Sequence, residues 1–201
     1  MKVVLFIHAS PVSLAATLEA LERHPDAPAL RHALATDLVD PRAMHFAHDD
    51  VGRVVLSCSI YNGFAPRLEA ELGLPVERSD EAGAHAVLAL GPRIGLAVSY
   101  PPSYPVIEAH LLELAALRNT PVELTPLLRE NAFAFADDAE RYGRVLVEAA
   151  RDACDTHGLD ALFLAQFSLD PNAASVAKVV RIPVVSAPEA SLHALRGVSG
   201  A

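Results

Sequence analysis

Tryptophan is absent from the chain, cysteine occurs only twice, and no apolar run approaches the length of a bilayer crossing. Each scarcity excludes something. The longest apolar stretches, such as Val3 to Ile7, are of strand length, so no membrane span is expected. Cys58 and Cys154 stand at unrelated spacings with no CxxC pair, which excludes a disulfide framework and a structural zinc site and suits a reducing compartment. The formal net charge of -9 is spread without a basic cluster, so nucleic acid has no electrostatic reason to bind. Neither GxGxxG nor GxxxxGK[ST] occurs, which leaves a nucleotide cofactor without support; no cofactor and no metal are expected. Lys2 leads directly into a strand-like run with no small-residue cleavage pattern behind it, so no secretory signal is read and a cytoplasmic location is expected.

What is present is the composition of a globular chain: 201 residues, 52% hydrophobic and 20% charged, enough for one large α/β domain or two compact lobes sharing an interface. Apolar runs of strand length alternate with amphipathic stretches of helix length, the pattern of a parallel sheet covered by helices. The runs are Val3 to Ile7, Arg31 to Leu38, Arg53 to Ser57, Arg93 to Val98, Val122 to Thr125, Ala161 to Ala165 and Ile182 to Val185. Helices are expected near Pro11 to Arg23, Phe64 to Leu72, Asp80 to Leu90, Tyr104 to Leu117, Ala136 to His157, Ala173 to Val179 and Pro188 to Leu195. Pro11 suits a first helical turn after Ser10, and Gly158 suits a helix end.

The chain also matches itself. At an offset of 108 residues, LPVERSDEAGAHAV from Leu74 falls on IPVVSAPEASLHAL from Ile182, and VVLSCS falls on LFLAQF without a gap. Cys58 then lies on Gln166, Glu81 on Glu189 and His85 on His193. At a different offset the opening VVLFIHASP resembles IGLAVSYPP from Ile94. An internal duplication follows, giving two pseudo-symmetric flavodoxin-like lobes, each a small parallel sheet flanked by helices, with a cleft between them. The expected boundaries are residues 1–91, with 186–201 packing back on them, and residues 92–185.

Ligands of open parallel sheets sit beyond the carboxyl ends of the strands. Those ends carry His8 and Ser10, then Cys58, Ser59 and Asn62, then Ser99 and Tyr100, and finally Gln166 and Ser168. Cys58, between two serines at a strand end, suits a thiol whose pKa a following helix start lowers, for use as base or nucleophile. The plainer reading is a buried cysteine packed as a small hydrophobe, which is how Cys154 is read. His8 reaches Cys58 if the first and third strands are neighbours, forming a thiolate–imidazolium pair; otherwise it is hydrogen-bonded at the strand end. Glu81 and Glu189, one turn into their helices, complement the positive helix ends. His85 and His193 are read as a duplicated structural pair, and the remaining histidines as surface residues.

HASP after the first strand, SCSIYN, RIGLAVSY and DALFLAQFSL followed by IPVVSAPEA together resemble the aspartate/glutamate/hydantoin racemase superfamily over nearly the entire chain. The resemblance implies a cofactor-independent enzyme whose two lobes place one cysteine each on opposite faces of a small carboxylic acid. It carries Cys58 to the first cysteine position and puts Gln166 at the second. An amide neither ionises nor transfers protons near neutral pH, so the two-thiol racemization of the family is not expected. Single-thiol chemistry remains: an isomerase or racemase-like reaction by proton transfer or covalent addition at Cys58, or a decarboxylase or lyase, with arylmalonate decarboxylase and maleate isomerase as relatives. Ser10, Ser59, Asn62, Ser99, Tyr100, Gln166 and Ser168 would hold the acid. The alternatives are a non-catalytic relative that binds a small acid and a flavodoxin-like regulatory module; a homo-oligomer is compatible with each.

Overall fold

The computed structural model describes residues 2–35, 50–128 and 132–196 and contains two parallel four-stranded sheets covered by helices. The first comprises β1 (Val3–His8), β2 (Leu30–Leu34), β3 (Val51–Leu56) and β4 (Val76–Glu77) in the order β2-β1-β3-β4. The second comprises β5 (Arg93–Ala97), β6 (Glu123–Pro126), β7 (Ala161–Leu164) and β8 (Val184–Ser186) in the order β6-β5-β7-β8. These orders are one arrangement repeated, so the α/β architecture with a sheet in each half is observed as the sequence suggested.

The helices are α1 (Pro11–Glu22), α2 (Ala65–Leu72), α3 (Glu81–Val87), α4 (Tyr104–Leu117), α5 (Ala139–His157), α6 (Ala173–Ala177) and α7 (Ala187–Leu195). No described helix is long and apolar enough to cross a membrane. Ser10 caps α1 by accepting a hydrogen bond from the Ser13 N–H, with Pro11 in the first turn. Asp138 caps α5 in the same way from the Arg141 N–H, which is why that helix starts at Ala139 and not at Ala136. Gly158 ends it in the left-handed region, at φ 57. Strand β4 escaped the sequence reading because it is two residues long and follows Pro75; pairing of Val76 with Val54 on β3 makes it a strand. Of the expected run Arg31 to Leu38, β2 takes the beginning, and residues 36–38 lie outside the described residues.

Side-chain alternation along the strands divides the core into layers. On β1, Val4 and Phe6 point into a core shared with Ile94, Leu96 and Phe163 of the second sheet, while Leu5 and Ile7 point to an outer layer with Leu68 of α2. On β7, Ala161 and Phe163 face the shared core, and Leu162 and Leu164 face an outer layer with Leu146 of α5. The helices that follow β4 and β8 cross over. Helix α3 leaves the first sheet but lies on the second, where a Cβ on Gly83 would stand 2.4 Å from Cε2 of Phe163. Helix α7 leaves the second sheet and returns toward the first, Ser191 Oγ donating to Glu77 Oε1 at 3.3 Å.

Charged clusters hold the starts of both crossing helices. His110 of α4 places Nδ1 2.9 Å from Asp80 Oδ2 and Nε2 3.3 Å from Glu81 Oε2. In the other half, Glu189 pairs with Arg23 Nε at 2.6 Å and with His24 Nε2. Glu81 and Glu189 thus do more than complement a helix end, and His24 and His110, expected at the surface, are buried. Burial alone would depress His110, but its hydrogen bonds to Asp80 and Glu81 outweigh that and raise it to about 9.

Two outcomes follow. Gly83→Ala should lose roughly 1–3 kcal/mol of unfolding free energy in urea, because the buried Phe163 ring cannot retreat and overpacking exceeds the helix-propensity gain. Gly63→Ala, which meets nothing within 4 Å, is the control. His110→Gln should destabilise by about 2–3 kcal/mol at pH 6. Because the folded-state pKa is raised from 6.5 to about 9, that stabilisation is full below pH 6.5 and fades as pH rises through about 9, so the two melting curves should converge there.

Candidate active site

The carboxyl ends of β1, β3, β5 and β7 converge on a cavity of about 310 Å³. Ser10 follows β1, Cys58 and Ser59 follow β3, Tyr100 follows β5, and Gln166 and Ser168 follow β7; all six line it. Two other cavities are larger, about 430 Å³ beside α5 and β6 and about 470 Å³ around Arg53 and Glu77. Neither is lined by a cysteine or lies where the strands of both sheets end, so the smaller space is the candidate site.

Cys58 is the half-buried residue between β3 and a 3-10 turn, Ser59–Phe64, and its sulfur receives the Ile60 backbone N–H. The sequence led us to expect a thiol lowered in pKa by a helix start. Instead, burial pushes the Cys58 thiol up, and the Ile60 N–H offsets this only in part. A short 3-10 turn presents few aligned dipoles, so desolvation wins. The resting side chain is a neutral thiol that can give a proton before it can take one.

Gln166 enters the same cavity from the other half. Its Oε1 accepts from Ser99 N at 2.7 Å, Ser99 Oγ at 2.9 Å and Tyr100 N at 3.2 Å. Its Nε2 donates to Ser59 Oγ at 3.1 Å, and Ser59 Oγ donates to Ser103 Oγ at 2.8 Å. The chain of bonds runs from β7 through the turn after β3 to the start of α4. Ser99 is fully buried behind Gln166, backed like Ser168 by the Tyr142 hydroxyl.

Three expected site residues do not line the cavity: Ser99, placed behind Gln166, and His8 and Asn62. His8 places Nδ1 2.7 Å from Ser57 Oγ and Nε2 3.0 Å from His32 Nδ1, and its ring packs against both Phe6 and His32. β1 and β3 are neighbours as the sequence reading required, yet both ring nitrogens are taken and burial, then His32, lower His8 to about 3. The thiolate–imidazolium pair is therefore not formed; His8 is a neutral strut behind Ser57. Asn62 is buried outside the cavity, donating to Asp80 Oδ1 at 2.6 Å and accepting from Ser79 N at 3.0 Å. Sequence reasoning missed Ser13, Ser57, Ser103 and Phe133. The serines carried a signal, as hydroxyls flanking strand ends and helix starts, whereas Phe133, from the 3-10 turn Ala132–Phe135, carried none.

None of the described residues lining the cavity is Asp, Glu, Lys, Arg or His. Hydroxyls, one thiol and one amide supply its polarity, and Phe133 and Phe167 its apolar wall. Among the described residues no cluster of three or more His, Cys, Asp or Glu could hold a metal ion. Alkylation of Cys58 in a Cys154→Ala background should keep accelerating as pH rises past 9, the ordinary value for a thiol, because the folded thiol titrates above it. A rate that levels off below pH 8 would contradict the assigned burial effect; mass spectrometry of timed reactions gives the answer.

No family model and no curated protein matches the sequence. Solved structures do match in shape. An allantoin racemase from Pseudomonas fluorescens superposes with a TM-score of 0.74 at 16% identity, over 98% of this chain and 90% of that one. A glutamate racemase from Bacillus anthracis gives 0.72 at 14% identity, over 98% and 81%. An aspartate racemase from Picrophilus torridus gives 0.68 at 14% identity, over 100% and 95%. The chain has the two-sheet fold that these racemases share.

Proposed function

We propose that the protein is a cofactor-independent enzyme of the racemase or isomerase kind acting on a small carbon acid, with Cys58 as the one group that moves protons or adds to the substrate. The observation that carries this reading is a half-buried thiol and an amide lining one small uncharged cavity at the carboxyl ends of two sheets. A site of about 310 Å³ suits a ligand of few heavy atoms. The substrate carboxylate, or an enolate-like intermediate, takes hydrogen bonds from the Ser10 and Ser168 hydroxyls, donors already in place as charge develops, while Ser59, its proton given to Ser103, shapes the wall. Cys58, resting protonated, delivers its proton to the face turned toward the first sheet; as thiolate, it removes one from that face. Gln166 on the opposite face neither gives nor takes a proton, so the chemistry is one-sided. The racemase-like neighbours support the class of reaction, and the missing second thiol narrows it to isomerization, decarboxylation with protonation from one side, or covalent addition by the thiol.

A second reading is a relative that binds a small acid without turning it over. The raised thiol favours it, since less of Cys58 is thiolate at neutral pH.

Incubation in deuterated water with a panel of amino acids, hydantoins, malonates and maleate separates the two, with exchange and product followed by NMR. Cys58→Ala should reduce turnover by about 10²–10⁴-fold, the range of a lost general acid or base, while Cys154→Ala leaves it unchanged. Binding without exchange or turnover, retained in Cys58→Ala, would establish the binding protein instead.

A further inference from the structure

The three donors that meet Gln166 Oε1 form a small receptor for an oxygen with negative character. Ser99 N, Ser99 Oγ and Tyr100 N lie 2.7, 2.9 and 3.2 Å from it. The orientation of the amide is forced: turned over, its NH₂ would face two backbone N–H groups, while the oxygen would face Ser59 Oγ, whose proton is directed at Ser103. The carbonyl thus fills the receptor from within the chain, and its NH₂ fastens to Ser59 of the other half.

We propose that Gln166 is a specificity-determining plug that occupies the second half's oxygen receptor, so that the cavity anchors one carboxylate and rejects a second. The proposal rests on the reading of this cavity as the ligand site. Its independent support is the lining: with no Lys, Arg or His among the described residues there, a dianion would bring a second charge into a small half-enclosed space with nothing to balance it. Positions 58 and 166 are equivalents in the duplication and line the same cavity, and the two halves have divided the work, one keeping a group that moves protons and the other a neutral side chain that closes its own receptor. To admit a diacid, Gln166 must surrender three hydrogen bonds to its oxygen and the link to Ser59 together.

The test compares propionate with malonate on the full chain and on Gln166→Gly, using the Ser99 and Tyr100 amide resonances in ¹⁵N spectra, together with protection of Cys58 from alkylation. In the unaltered protein, propionate should protect Cys58 while the two amide resonances stay in place, and malonate should bind more weakly. In Gln166→Gly, malonate should shift both resonances, and the ratio of malonate to propionate affinity should rise by about tenfold or more, the factor expected of one charge-assisted hydrogen bond. An unchanged ratio, or equal movement of both resonances in the unaltered protein, overturns the plug while protection of Cys58 leaves the site reading standing. If neither acid protects Cys58, the site reading fails and the plug with it. Should Gln166→Gly not fold, Gln166→Glu keeps the shape: its carboxyl, followed by ¹³C NMR, should titrate below the ordinary glutamate value, because three donors favour the charged form. Titration at or above that value overturns the assignment of the receptor.

Discussion

Gly83 lies so close to Phe163 that even a methyl group would collide with the ring, and the placement of the site depends on that contact. A two-layer unit of four short strands and its helices has little apolar surface to bury alone. Sending α3 from the first sheet onto the second, and α7 back toward the first, fuses the inner faces of both into one core around Phe6, Val55, Leu96 and Phe163. The sheets can then present their carboxyl ends to a single cavity. A side chain at position 83 would meet the Phe163 ring and strain the seat of α3 on the second sheet.

Charge is distributed according to the same logic. Ionic groups gather where the crossing helices begin, with His110 between Asp80 and Glu81, and Arg23 and His24 around Glu189. The His110–Asp80 pair is buried and the Arg23–Glu189 pair is partly exposed, and each cluster joins an element of one half of the chain to an element of the other. The cavity is left uncharged. Its polarity comes from serine hydroxyls and the Gln166 amide, which raises the energy of any anion that enters without hydrogen bonds and leaves the Cys58 thiol protonated at rest.

The duplication shows how two equivalent positions diverge. β3 with its 3-10 turn and α2 corresponds to β7 with its 3-10 turn and α6, and Cys58 and Gln166 occupy the same place before those turns. Beyond this backbone likeness the environments differ. Sulfur at 58 takes one backbone N–H, whereas the longer amide at 166 reaches the end of β5 and satisfies three donors there.

Among the described residues, every strand but β4 and each of the helices α1 to α7 were legible in the sequence, as was the offset that pairs Cys58 with Gln166, because alternation, helical periodicity and capping residues such as Ser10 act between near neighbours. Strand β4 was not, since two residues become a strand only when β3 lies beside them. The site residues were placed at strand ends by topology rules alone, and for Ser10, Cys58, Ser59, Tyr100, Gln166 and Ser168 that sufficed to gather them around one cavity. What only the tertiary structure decided is the state of each group: His8 neutral against His32, Asn62 spent on Asp80 and Ser79, the thiol raised, the Gln166 oxygen captured by Ser99. Those outcomes depend on desolvation and on hydrogen bonds such as that between Gln166 and Ser99, 67 residues apart, and no local pattern encodes which distant donor a folded side chain will meet.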